Sequence, residues 1–294
     1  GMEGLGIAER AYQQAVAYAQ ERTQGRAVGT PKTDVSPIVE HPDVRRMLMT
    51  MKAYNEASRG LLYDTAAAGE RAHRHPEQAG RQEAANRVAL LTPVAKAWCS
   101  DLGVAMTSIG VQVHGGVGYV EETGAAQHYR DARITPIYEG TNGIQAIDLV
   151  MRKLPMDDGA VVRSYLDEMA ALAAPLAESS DRRFTVMREA LVPALAALRE
   201  ATEWLIACDD PNDRLAGASP YLDMFGTVAG GAYLMRMALA AAAEERDAWL
   251  EAKIDTAAFY AHQIMPRAAG WLPSATAGAS ELFAIPAGSL ETAR

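Results

Sequence analysis

The sequence predicts an all-α protein, and three observations carry that expectation. Apolar residues recur at helical spacing through nearly the whole chain, and no convincing strand interrupts them. Alanine is used heavily while aromatic residues make up only 6% of the chain, which favours closely packed helices over a β-sandwich. The 294 residues suffice for two domains of roughly 100–200 residues each.

The first helix opens the chain almost without lead-in, with Leu5, Ala8, Tyr12, Ala15 and Ala19 on one face. That abrupt entry suggests a start partway through a larger design. The polar run "ERTQGRAVGTPKTD" ends the helix. A second helix starts at His41 and Pro42, where proline at the first turn lacks only an N–H that would be unpaired anyway. Its stripe runs Val44, Leu48, Met51, Asn55, Ser58, Leu62 and Thr65, and "AHRHPE" closes it. The third helix covers about 77–110, with Leu91, Val94, Trp98, Leu102, Ala105 and Ile109 facing inward and Pro93 bending it. After the loop "HGGVGYVEETGA" come a short polar helix near 125–131 and a last helix over 143–154. Three long helices and one shorter one, joined by short loops, predict a four-helix bundle over residues 1–154.

"LPMDDGAV", 154–161, is a composition break, so residues 155–294 are expected to form a second helical domain. One stripe there is Val186, Ala190, Leu195, Leu198, Thr202 and Leu205, closed by "CDDPND". A second is Phe225, Val228, Ala232, Met235 and Leu239, and a third Ile254, Ala257, Ala261 and Ile264. The tail from Pro273 is small, polar and loosely held. With no constellation of reactive side chains, this half reads as a packing or oligomerisation domain.

Bulk composition excludes several function classes. The net charge is −9 with no long run of Lys and Arg, which argues against a nucleic-acid footprint. No apolar run approaches the roughly 20 residues of a membrane span, and the start lacks a signal-peptide pattern. Cys99 and Cys208 lie in helical patterns among apolar neighbours and read as reduced core thiols of a cytoplasmic protein.

Chemistry has few places to live. "QVHGGVGY" at 112–119 has phosphate-loop glycines, but the dinucleotide fingerprint needs a strand before it and a helix after it, and here a helix precedes. His73 and His75 flank a helix end, where cations complement the dipole. No second ligand pair has zinc spacing, and no G-x-S-x-G elbow occurs. "RDAR" at 130–133 alone reads as solvated surface. "ITPIYEGTNGIQ", 134–145, sets the carboxylate of Glu139 between an aromatic ring and a glycine. It is either a charge near a helix N-terminus or a group that a site uses.

Taken together, "ERTQGR" (21–26) and "GVQVHGGVGYVEETGAAQHYRDARITPIYEGTNGIQ" (110–145) closely resemble the C-terminal helical domain of flavin-dependent acyl-CoA dehydrogenases. The order Gln-x-x-Gly-Gly-x-Gly, Tyr-Arg-Asp-Ala-Arg, Tyr-Glu-Gly-Thr is specific and spans roughly 1–154. The remainder resembles the extra helical domain of the long branch, which includes 3-methylmercaptopropionyl-CoA dehydrogenase-like proteins.

The resemblance implies that Glu139 is the base removing the α-proton of an acyl-CoA thioester while a β-hydride passes to FAD. Burial beside Tyr138 and Ile137 is expected to raise its pKa into a working range. The Glu139 N–H would help hold the thioester oxygen. Tyr138 and Gly140 fall on the substrate side, and Thr141 and Gly143 where the family contacts flavin. Gly143 stands where many members have glutamine, so a side-chain bond is lost there. Arg22 and Gln24 match a segment reaching the FAD of a neighbouring subunit, with Gly25–Arg26 in place of the common Phe-Gly. Gln112, Gly115 and Gly116 match a second inter-subunit FAD contact, where a Cβ would collide with the cofactor. A homodimer or homotetramer and electron-transfer flavoprotein as acceptor follow from the same likeness. The family's N-terminal helical and β-domains are not in this sequence, so the chain alone is expected to lack dehydrogenase activity and to bind FAD weakly at best. Two rivals are a non-catalytic helical oligomerisation scaffold and a relative associated with DNA, the latter disfavoured by the acidic balance.

Overall fold

The computed structural model describes residues 1–29, 31 and 34–290. Small side chains decide how the first three helices meet. These are α1 (Met2–Glu21), α2 (Pro42–Arg74) and α3 (Gln78–His114). The face α1 buries is mostly alanine: Leu5, Ala8, Ala11, Ala15 and Ala19. It can therefore approach α3 until backbones touch, and a Cβ at Gly103 would lie 2.8 Å from the Gly4 Cα. Farther along, Ala11 meets Gly110, and the Tyr18 ring stacks on His114 with centroids 4.5 Å apart. α1 and α3 thus run in the same direction, while α2 runs back between them. Pro42 occupies the first turn of α2, as expected.

This close approach corrects the predicted inner face of α3. Gly103, Met106, Thr107 and Gly110 are buried, whereas Ala105 is exposed and Leu102 and Ile109 are half-buried. Two residues along a helix turn through about 200°, so facing Gly103 toward α1 points Ala105 away. α3 continues through Pro93 and ends at Gly115, whose φ of +63° needs no Cβ.

Short elements follow: α4 (Gly116–Tyr119), α5 (Ala125–Ala132) and α6 (Asn142–Asp148). The predicted last helix is therefore shorter than the periodicity suggests, and it passes into a π-helical turn over Leu149–Lys153. Asp157 and Asp158, both at φ +50°, then reverse the chain. Beyond lie α7 (Ala160–Ala170), α8 (Ala173–Glu178), α9 (Arg182–Ala207) and α10 (Pro211–Ala216). The last four are α11 (Ala218–Ala242), α12 (Ala248–Gln263), α13 (Arg267–Gly270) and α14 (Leu272–Thr276). Asp181, Asp210 and Asp247 cap α9, α10 and α12 by accepting first-turn N–H groups.

One hydrophobic core runs through both halves. α11 lies at its centre, and its Gly226 and Gly230 leave room for the Trp98 ring of α3. Tyr54 of α2 meets Trp98 and Tyr260 edge-on, with centroids 6.1 and 5.7 Å apart. Polar ties join the same helices. Arg87 pairs with Asp64 at 2.7 Å and with Glu168 of α7, while Arg236 of α11 reaches Glu168 at 2.7 Å. The buried carboxylate of Glu56 is held by Lys52 at 2.6 Å and by Lys253 of α12 at 3.0 Å.

By length and composition alone, α3 and α11 are long and apolar enough to cross a membrane, but 78% of the apolar window of α11 is buried inside the protein. Two further expectations change. Cys99 is buried, with its thiol pushed up to about 12 by burial, but Cys208 lies half-exposed just past the end of α9. The tail is held as far as Ala279, whose N–H donates to Asp213 at 2.8 Å, because Ala275 and Ala279 find buried sites beside α10 and α11.

Candidate active site

Residues 133–141 form successive turns rather than a helix: Thr135 N–H donates to Ala132 O, and Ile137 and Tyr138 N–H both donate to Ile134 O. Glu139 and Gly140 then take left-handed conformations, φ +54° and +80°. Thr141 caps α6 by accepting the Ile144 N–H at 3.4 Å. Asn142 fixes the segment beside α3 through Ala97 O and Ser100 Oγ. Lys96 lies alongside. Partial burial lowers its ammonium pKa, and the charges of Asp101 and Glu139 oppose that. The Glu139 N–H donates to no group among the described residues.

The expected burial of Glu139 is corrected. Its side chain is exposed, and the neighbours meant to cover it are 39% (Tyr138) and 49% (Ile137) exposed. The turns project the segment off the α3–α6 surface, so nothing among the described residues encloses the carboxylate. Gly140, Thr141 and Gly143 are exposed on the same ledge, with Ile134 and Ile144 beside them.

A second group of residues lies at the opposite end of the α1–α3 pair. Arg22 follows α1, and its C=O accepts the Ile38 N–H while Gln24 N–H donates to Ser36 O. His41 Nε2 bonds Gln24 O at 2.8 Å, which ties this strip to the start of α2. Because Tyr18 stacks on His114, Arg22 and Gln24 share this end with Gln112, Gly115 and Gly116. All five are exposed, and a Cβ at Gly115 or Gly116 would meet open space. Arg22 has no carboxylate partner among the described residues.

The two groups do not come together within one chain. From Ser100, beside Asn142, to Gln112 is twelve residues of α3, about 18 Å at the helical rise. Gln112 is the nearer of the two to Glu139 in sequence, yet it shares its end of the bundle with Arg22.

Sequence reasoning missed two features. Tyr119, Tyr129 and Arg130 line a shallow hollow of about 680 Å³ next to the Gln112 end. The aromatic residues of "GVGY" and "HYRD" were the available signal. A larger cleft, about 880 Å³, opens between α2, α3 and α7 around Arg87 and Glu168, and none of the motif residues lines it. Its charges come from sequence-distant helices, so no local pattern announced it.

Residues 1–154 match the family model described as acyl-CoA dehydrogenase, C-terminal domain. The chain belongs to that family. Residues 165–286 match a second model, acetyl-CoA dehydrogenase C-terminal like. Among curated acyl-CoA dehydrogenases, 3-methylmercaptopropionyl-CoA dehydrogenase of Ruegeria pomeroyi is 43% identical over 271 residues, covering 90% of this chain and 46% of that protein. Butyryl-CoA dehydrogenase of Syntrophomonas wolfei is 30% identical over 280 residues, covering 92% and 45%. The chain thus spans about half the length of these relatives. The fold recurs in Caenorhabditis elegans ACDH-11 in complex with C11-CoA (TM-score 0.73, 22% identity, 97% of this chain and 46% of that one). It recurs also in an acyl-CoA dehydrogenase complexed with FAD from Bacillus anthracis (TM-score 0.67, 18% identity, 93% and 50%).

Proposed function

We propose that this chain is the helical C-terminal part of an FAD-dependent acyl-CoA dehydrogenase and carries its base, Glu139. The observation that bears most weight is the Tyr138–Glu139–Gly140–Thr141 ledge, a carboxylate at a left-handed residue, exposed on a surface of Ile134, Ile137 and Ile144. An apolar patch ringed around one charge suits a surface that another part of the protein covers. Covered in that way, Glu139 would become the dry, basic carboxylate that α-proton removal requires.

The residues at the far end fit a dinucleotide's diphosphate. Arg22 offers a guanidinium with no carboxylate partner among the described residues, and Gly115 and Gly116 leave the main chain open to close approach. Thr141 and Gly143 offer a hydroxyl and an uncovered backbone on the Glu139 side. Bound FAD would supply the acceptor for the hydride leaving the β-carbon. Glu139 would take the α-proton onto its carboxylate, and its unbonded N–H would donate to the thioester oxygen as negative charge develops there. With the two surfaces about 18 Å apart along α3, a second copy supplying Arg22 and Gln112 explains why both lie exposed. Electron-transfer flavoprotein is the proposed acceptor of the reducing equivalents.

The test has two arms. The chain alone should purify colourless and leave an acyl-CoA unchanged; a yellow sample bleached by substrate would contradict this. In a protein that also carries the remaining length found in the relatives, Glu139→Gln should lower the rate of flavin reduction by at least 10³-fold, the upper range for loss of a general base. Near-normal bleaching would move the base elsewhere.

A further inference from the structure

Glu139 holds an unfavourable backbone conformation, and its immediate neighbours hold it only weakly. Gln145 Nε2 reaches the Glu139 carbonyl at 3.4 Å, and the Thr141 cap is also 3.4 Å long. The firm contacts come from Asn142, three residues on. Its backbone N–H donates to Pro136 O at 3.0 Å, closing a ring of chain around Ile137–Thr141. Its side chain pins that ring to α3. Nδ2 donates to Ala97 O at 3.1 Å and to Ser100 Oγ at 3.0 Å, and Oδ1 accepts from Lys96 Nζ at 2.7 Å. Chemistry fixes the amide's orientation, because a lysine ammonium can only donate and a main-chain carbonyl can only accept. Both amide hydrogens and an oxygen lone pair are thereby engaged, on three different residues of a rigid helix.

We propose that Asn142 is a positioning residue, which holds Glu139 in the left-handed conformation by clamping the 136–142 ring to Lys96, Ala97 and Ser100. The proposal rests on the reading of Glu139 as base, and it assigns a role to a residue whose side-chain amide is engaged by α3. A strained residue persists only where its surroundings over-determine it, and here the firm ties of the ring to α3 come from one side-chain amide. Lys96 contributes twice: it anchors the clamp, and its charge lies within reach of the Glu139 carboxylate. Aspartate cannot substitute. It would keep the acceptor for Lys96 but lose both donors and turn a carboxylate oxygen toward Ala97 O.

Hydrogen–deuterium exchange and carbon chemical shifts at residue 139, measured on this chain, read the clamp directly. Asn142→Ala and Asn142→Asp should each speed exchange at least tenfold at the hydrogen-bonded amides of the ring, those of residues 137, 138 and 142, and move residue 139 out of its left-handed shift signature, with α2 and α9 unchanged. A purely structural role at the start of α6 would instead speed exchange along α6 and leave the residue 139 signature in place, and that outcome overturns the proposal. Lys96→Met keeps the measurement decisive if the Asn142 variants fold poorly. It removes one of three side-chain bonds and should speed exchange about threefold at the amides of residues 137, 138 and 142; no change there also overturns it. Since these readings need no flavin or substrate, they can fail while Glu139→Gln still abolishes flavin reduction, and the reverse.

Discussion

Glu139 and Gly140 are consecutive left-handed residues, and only the glycine adopts that conformation freely. For the glutamate the cost is about 1–2 kcal/mol. Asp157 and Asp158 share its positive φ, but a short polar side chain eases that conformation, and they serve a chain reversal. Glutamate has no such relief, which makes position 139 the one where strain asks for a functional reason. Another carboxylate carries a cost of a different kind. Asp223 on α11 is pushed up to about 6, first by burial and second by the charge of Asp101 on α3. Its folded pKa lies above the unfolded value of about 3.9, so the folded chain binds this proton more readily. The ionised group therefore destabilises the fold fully above about pH 6, and the penalty fades as pH falls toward 4. Asp223→Asn should raise the melting temperature at pH 7.5 by about 1–2 °C, corresponding to roughly 1 kcal/mol after allowance for partial exposure. At pH 4 the two proteins should melt together. Equal melting at pH 7.5 would mean that solvent or a neighbouring cation relieves the carboxylate.

Among the elements, α3 does the most, since the Glu139 ledge hangs from Lys96, Ala97 and Ser100 while Gln112 and Gly115 close its far end. Its register against α1 is set where Gly4 and Gly103 touch. Gly103→Ala would place a methyl 2.8 Å from the Gly4 Cα and 2.9 Å from its carbonyl oxygen. Backbone cannot rotate away as a side chain can, so the helices must part, at a cost of about 1–3 kcal/mol. Chemical denaturation would show that loss, and an unchanged midpoint would mean α1 shifts without cost. Sequence reading places the start of α2 well because Pro42 marks it, but a single stripe understates a helix whose residues 53–58 are all buried, since α1, α3, α11 and α12 all pack on it. It misjudged α3 at Ala105 because glycines carry no hydrophobic signal, although Gly103 and Gly110 are the points of closest approach. α11 was read as one stripe from Phe225 to Leu239, whereas it is enclosed nearly all round. Gly226 and Gly230 look like weak points in a helix until the Trp98 ring is set against them.

At the scale of the whole molecule, Trp98, Tyr54 and Tyr260 make residues 1–154 and 155–294 share one core, which no composition break could reveal. The motif order was legible in the sequence, but the geometry was not: Gln112 and Glu139 are close along the chain, yet Gln112 lies about 18 Å along α3 from Ser100, where the Glu139 segment is anchored, while Arg22 and Gln112 are distant along the chain and share one end. That arrangement predicts how copies must cooperate. If each site takes Glu139 from one copy and Arg22 from its partner, then Arg22→Glu and Glu139→Gln cripple opposite halves of a site. In a protein carrying the relatives' full length, each variant alone should be inactive. A purified dimer with one chain of each kind would hold one site with both residues intact and one with neither. It should therefore recover about half of the normal flavin reduction, whereas sites built within single chains would leave that hybrid as inactive as its parents.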